Sequence, residues 1–411
     1  MRVAGAEVHR VVGSATHPDD IPLGPDHPTL DGLPTIHLEH DGEVICSAEW
    51  IAGTVHRGAE KLFESRDYRQ IVMLVDRHDW LSAFCSEIGV VVGIERALGL
   101  TPPPRAQHLR ILLCELTRIA HHLAFLAPLP GELPPWWREG AWAWRAEVLE
   151  LIEAATGQRV HPMFAQVGGV RADVAAGWVA RVAAAATRWS GMGTGPAAGQ
   201  GPAAEPGTAR GPRSAAGPGT AAGQVAGLAG LDGPEFGAVL DSGYAGVALL
   251  TAVQAQGFGA SGPVARASGV DLDLRRDDPY LPYPPFDVPT SGACDARARI
   301  RMLVEELTPS IELVAWASGR LASEEGQPVS VRLPKVVRVP EGASYTWTEN
   351  PTGINGYLLV SRNDRTPWRL KLRSAGFGNA AALGAALVGT GLQDLPAAVA
   401  SFLIVCGDVD R

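Results

Sequence analysis

Between Trp50 and Leu126 the chain sets ionisable side chains inside a strongly apolar, helix-forming pattern. Glu60 and Lys61, Arg77 and Asp79, Glu87, Glu95 and Arg96, Glu115 and Arg118 all fall close to hydrophobic faces. An unpaired charge in such a place is costly, so a plain structural bundle would rarely carry so many. The chemistry these side chains offer is proton exchange and the stabilisation of developing charge. His56, Arg57, Glu60 and Lys61 have spacings that suit one helix face. They read either as intrahelical pairs or as a route for charge coupling.

Other chemistries are set aside by what the chain lacks. Its net charge of -9 argues against a nucleic-acid footprint. No G-x-G-x-x-G sits between a strand and a helix, so no NADH site is expected. The five cysteines (Cys46, Cys85, Cys114, Cys294, Cys406) form no C-x-x-C pair, which reads as reduced thiols in a cytoplasmic protein without a local zinc or iron–sulfur motif. The start, MRVAGAEVHRVVGS, lacks the apolar core of a signal peptide, and no apolar run is long enough to cross a bilayer. Membrane association is expected only through a partner.

The elements that must position these residues follow from pattern. Residues 1–23 read as a loose lead-in, and the length of 411 residues allows one large core or two or three smaller ones. Period-two alternation over Thr35–Glu39, followed by His40-Asp41-Gly42, predicts a hairpin. A helix is expected over Ala52–Glu64, and a second capped by Asp79 and stopped by Gly99. Thr101-Pro-Pro-Pro opens a third, with Leu109, Leu112, Leu116, Ile119 and Leu123 as its packing seam. After a Pro- and Trp-rich loop, a fourth runs from about Trp144 to Ala155 and ends at Gly157. Further helices are expected over 177–189 and 293–319, with strands at Gly356–Ser361 and Trp368–Arg373. Trp136, Trp137, Trp142 and Trp144 border a cavity or pack a loop. Arg266 to Arg276 reads as a subunit contact or an internal turn. Over 191–224, Gly, Ala and Pro fill 24 of 34 positions, too little side chain to offset the entropy of ordering, so a disordered insertion is expected there.

Many motifs then occur in one fixed order: GPDHPTLDG, WIAGTVHRGAEKLFESRDY, DRHDWLSAF, RIAHHLAFL, ATGQRVHP, VGGVRADV, SGPVARASGVDLDLRRDDPY, FDVP, GYLLVS, PWRLKLRSAGF and GDVDR. The chain resembles the D subunit of respiratory complex I, the proton-pumping NADH:quinone oxidoreductase, as a divergent paralogue. That subunit is related to the large subunit of nickel–iron hydrogenases. The resemblance implies a single domain over 24–411, interrupted by 191–224, with an α+β, mainly α-helical fold: a small N-terminal β-sheet, a central helical bundle and a C-terminal α+β part. It implies an enzyme subunit that is not active alone. Its expected seat is the cytoplasmic side of the cell membrane, held peripherally by the terminal iron–sulfur cluster subunit, the C subunit and the membrane-arm H subunit. No cofactor is expected on this chain; quinone is the substrate and the cluster belongs to the neighbour. Where hydrogenases carry metal thiolates, this chain reads Asp79-Trp80-Leu81-Ser82 and Val405-Cys406-Gly407-Asp408. No nickel–iron centre is therefore expected.

The resemblance also assigns site residues. The family's headgroup His and Tyr are replaced here by Asp31 and Trp80, and the acidic partner aligns with Glu132. An ionised Asp31 accepts but does not donate a hydrogen bond; paired with Glu132, one carboxyl would stay protonated and donate. Trp80 keeps an N–H donor but cannot release a phenolic proton. His27 is kept in the same loop as Asp31. Arg77 and His161 match the Arg and His that face the cluster, where a cation and a protonatable imidazole stabilise its reduced form. Two alternatives to complex I remain open: a related membrane-bound oxidoreductase with another donor or acceptor, and a structural or coupling subunit with a degenerate quinone pocket.

Overall fold

The computed structural model describes residues 2–3, 5–12, 17–22, 34–191, 231 and 233–411. His27, Asp31 and all but the first residue of the 191–224 insertion lie outside the described residues.

The N-terminal sheet contains β1 (Arg2–Val3), β2 (Ala6–Val12), β3 (Asp20–Pro22), β4 (Thr35–Asp41) and β5 (Val44–Ile51). Its path is β1-β2-β4-β5, with β3 parallel to the far end of β2. The expected lead-in is therefore part of the sheet. β2 also pairs with the distant β4, where Val11 lies opposite Ile36 and both are buried. The hairpin from β4 to β5 forms as expected, turning at Gly42 with φ +63°.

Residues 52–58 are not helical as expected; α1 covers only Ala59–Phe63. Gly53 and Gly58 take φ of +113° and +66°, which break a right-handed helix. After α2 (Val72–Val75) come the long helices α3 (Ala83–Leu98), α4 (Pro104–Leu126) and α5 (Pro135–Thr156). The seam Leu109, Leu112, Leu116, Ile119, Leu123 is fully buried. Ser82, rather than Asp79, is the residue before α3. The stops at Gly99 and Gly157 both use left-handed backbone, as expected.

The Pro- and Trp-rich stretch is helical, because Pro135 occupies the first turn of α5, where its missing N–H costs nothing. Trp137 and Trp144 are buried; the Trp137 indole donates to the Leu126 carbonyl at 2.9 Å.

Two short strands, β6 (Ala165–Gln166) and β7 (Gly169–Val170), precede α6 (Trp178–Gly191). Short helices follow: α7 (Pro234–Gly243), α8 (Ala252–Gly257), α9 (Gly262–Arg266) and α10 (Leu274–Asp277). The long α11 (Ala296–Ser323) packs on both α4 and α6. The C-terminal part holds the meander β8 (Gly342–Asn350), β9 (Gly353–Ser361), β10 (Arg369–Arg373), then α12 (Ala375–Leu387), α13 (Leu395–Ala400) and α14 (Cys406–Asp410). Strand β8 has no counterpart among the strands expected from the sequence. Among the described residues no helix is long and apolar enough to cross a membrane.

Candidate functional site

The turn between α2 and α3 carries Asp76, Arg77, His78, Asp79 and Trp80. Asp76 is completely buried, yet it touches two partly exposed cations or potential cations. Arg77 Nε donates to its Oδ1 at 3.2 Å, and His161 Nδ1 lies 3.1 Å from its Oδ2. The remaining Arg77 nitrogen contact is Met163 Sδ at 3.7 Å. Arg77 and His161 thus converge on one surface, anchored from beneath.

Glu87 holds the second half of that surface. Its carboxylate accepts backbone N–H bonds from Met163 (2.7 Å), Phe164 (3.0 Å) and Ala165 (2.9 Å). These three bonds fix the segment that carries His161 against α3. Burial pushes the Glu87 carboxyl up to about 8, helped by the Asp76 charge and opposed by the three N–H donors.

Trp80 borders a cavity of about 160 Å³ with Phe84, Thr117, Arg145, Val160 and Pro162 among its walls. Val160 and Pro162 flank His161, so the Trp80 cavity adjoins the Arg77–His161 surface. Trp80 is braced from behind by Gly407: a Cβ there would collide with the His78 carbonyl and the Trp80 ring.

The segments 78–82 and 405–408 are neighbours. His78 Nδ1 is 3.0 Å from Asp408 Oδ1, and the other Asp408 oxygen accepts from Gly376 N at 2.6 Å. Asp79 accepts from the Ser82 hydroxyl and backbone N–H. Burial and the nearby Asp408 raise the Asp79 carboxyl to about 7. Cys406 is buried, which pushes its thiol up to about 12, with Asp410 adding to the rise. A thiol so disposed stays protonated and is a poor metal ligand.

The tail also anchors the loop before α1. Asp410 accepts from Gly53 N and Val55 N, each at 2.7 Å. His56 and Arg57 therefore precede the helix rather than sharing its face with Glu60 and Lys61. Glu60 pairs across to Arg369 (2.7 Å) and Lys371 (3.0 Å), while Lys61 pairs with Glu64 (2.6 Å).

Behind the site the bundle encloses an ionic network. Arg266 bonds Glu306 (2.7 Å) and Glu349 (2.8 Å); Glu306 also meets His122 at 3.0 Å. Arg275 pairs with Glu115 (2.8 Å) and Asp273 (2.7 Å), and Arg118 lies 3.4 Å from Glu115. The Arg266–Arg276 stretch is thus largely an internal element, with Arg266 and Arg275 buried. Despite the cost of burial, the Arg266 charge holds the Glu306 carboxyl down at about 2. Burial drives the neighbouring His122 imidazole the other way, below its ordinary value, against the pull of Glu306.

Of the residues marked in the sequence, Arg77, His161 and Trp80 occupy adjoining positions. Glu132 is exposed in the loop before α5 and is not among the residues lining the Trp80 cavity. Sequence pattern marks Glu87 only as one of the ionisable groups on apolar faces, and assigns neither Asp76 nor Asp408 to the site. The available signals were a Glu inside the apolar α3 pattern and two acids in the GDVDR tail.

The small N-terminal sheet, the long central helices and the C-terminal α+β part define a scaffold like the large subunit of nickel–iron hydrogenases. The chain belongs to the family of the respiratory-chain NADH dehydrogenase 49 kDa subunit, whose family model matches residues 140–192 and 238–411. It is 43% identical to the second D subunit of the NADH-quinone oxidoreductase of Salinispora tropica, over 95% of this chain and 92% of that one. It is 42% identical to the first D subunit of the NADH-quinone oxidoreductase of Streptomyces coelicolor, over 97% of each. Among solved structures, a chain of the membrane-bound sulfane sulfur reductase, an archaeal respiratory membrane complex, is similar with a TM-score of 0.78 and 25% identity, covering 94% of this chain and 97% of that one.

Proposed function

We propose that this chain forms one wall of a quinone-reduction chamber in a proton-translocating NADH:quinone oxidoreductase, completed by a neighbouring subunit that carries an iron–sulfur cluster. The observation that carries this reading is the adjacency of the Asp76-anchored Arg77–His161 surface to the Trp80 cavity. Electrons would arrive on the first side and be accepted on the second. The cavity's volume of about 160 Å³ is below the ~300 Å³ of ordinary ligand pockets, which suits a wall rather than a complete chamber. A groove of about 510 Å³ lined by Arg69, Met73, Met163 and Arg171 extends the same surface and suits a docked neighbour.

Asp31 and Glu132 remain part of this proposal as carboxyl groups that share a proton near the headgroup, with Trp80 donating through its indole N–H and His27 beside Asp31. The chain binds no redox centre; the cluster-bearing neighbour, the C subunit and the membrane-arm H subunit hold it peripherally on the cytoplasmic side of the cell membrane. Likeness to a sulfane sulfur reductase complex supports a second reading, a related membrane oxidoreductase with another acceptor.

The test is quinone-reductase turnover of the assembled complex. Trp80→Ala is expected to lower it at least about tenfold, and Asp31→His with Trp80→Tyr together to raise it, since a positioned proton donor contributes ~100-fold or more. Unchanged turnover in both variants would reject a quinone chamber here.

A further inference from the structure

The N-terminal sheet brings together three metal-ligating side chains that are distant from the Trp80 cavity in the sequence. Glu7 and His9 lie on one face of β2, and His40 of β4 stands directly opposite Glu7 in the antiparallel register. His9 Nε2 and His40 Nε2 are each 3.7 Å from Glu7 Oε2, and the three ligand atoms all lie within 4.8 Å of one another. The His9 and His40 rings stack with centroids 4.9 Å apart.

His40 is the informative member. It is only 6% exposed, and its Nδ1 lies 2.8 Å from the Gly42 carbonyl. A carbonyl only accepts, so Nδ1 carries the proton and Nε2 presents a lone pair. That Nε2 is buried, makes no hydrogen bond and points toward Glu7 and His9. A ring nitrogen donating to a backbone carbonyl while the other faces outward is the arrangement that prepares histidine for a metal. Gly42 supplies that carbonyl from the hairpin turn, so the sheet itself orients the ligand.

We infer that Glu7, His9 and His40 form a binding site for a divalent transition metal of the Zn²⁺ type. Two imidazoles and a carboxylate match that ion's preferences better than those of Ca²⁺ or Mg²⁺. Tetrahedral coordination with bonds near 2.0–2.1 Å needs ligand atoms about 3.3 Å apart. The 3.7 Å separations are close to this, and His9, whose side chain is 27% exposed, can swing to close the remaining gap. Three protein ligands leave a fourth position for water. The bound ion would fasten β2 to β4, a pairing between segments separated by residues 13–34.

The probe is Zn²⁺ alone, titrated into the purified full-length chain in competition with a colorimetric chelator, with Co²⁺ absorption as a geometry readout. One ion per chain is expected, with a tetrahedral Co²⁺ spectrum and a Zn²⁺-dependent rise in melting temperature. His9→Gln and Glu7→Gln, both at partly exposed positions, should each weaken binding by about 100-fold or more and remove the thermal shift. His40→Gln should do the same; if it fails to fold, the other two variants decide. Binding that is absent, or that survives His9→Gln and Glu7→Gln undiminished, overturns the site.

Discussion

Arg77 and His161 meet at opposite oxygens of one buried carboxylate, Asp76. Neither contact is legible from spacing, because one partner is the preceding residue and the other lies beyond three helices. The shared anion fixes a guanidinium and an imidazole on a common surface without occupying all their donors. If a cluster faces that surface, Arg77 acts on it as a fixed cation. In the assembled complex, Arg77→Met should lower the cluster's midpoint potential, and Arg77→Lys should restore most of it. Redox titration followed by electron paramagnetic resonance reads both.

Asp79 and Glu87 give the fold a pH signature. Both carboxyls are raised, to about 7 and about 8, from ordinary values of 3.8 and 4.5. The folded state then binds more protons than the unfolded state across these windows. Their contribution to stability is complete below the lower values and is lost as pH rises toward the upper ones. Denaturant midpoints should therefore fall between pH 4 and pH 8, and Asp79→Asn should make that fall shallower. An equal slope in the variant would show that Asp79 ionises normally.

The ionic network behind the site is expected to be intolerant of single deletions. Arg266→Met leaves Glu306 and Glu349 buried without their shared cation. Loss of one partner from such a cluster costs ~3–5 kcal/mol. Urea unfolding of the isolated chain should register that loss, and a change below about 1 kcal/mol would contradict the pairing.

Helix α3 approaches the C-terminal sheet through Gly89, where a Cβ would overlap the Tyr357 ring. Gly89→Ala should destabilise by about 1–3 kcal/mol through overpacking. Tyr357→Leu in the same chain should recover part of the loss, a non-additivity that a double-mutant cycle measures.

What could be read without coordinates was local and periodic. The seam of α4 and the glycine stops of α3 and α5 are encoded within a few turns of chain, and they stand where the pattern put them. Elements defined by distant partners were harder. Strand β2 looks unstructured until β4 arrives to pair with it, and residues 52–58 look helical until Asp410 claims their backbone N–H groups. Trp136 and Trp137 read as loop residues because Pro134 and Pro135 precede them, yet those prolines open a helix. The headgroup loop with His27 and Asp31 takes its role from family resemblance and lies outside the described residues. Trp80, Arg77 and His161 take their assigned roles from the same resemblance, whereas their supports Glu87 and Asp408 emerge only from the packed structure.

The most direct test of the quinone chamber is covalent labelling of the assembled complex by a quinone bearing a photoreactive headgroup. Labelled peptides should contain Trp80 and residues 159–162, and excess unlabelled quinone should suppress them. Labelling confined to other subunits, or undiminished by the competitor, would contradict the account.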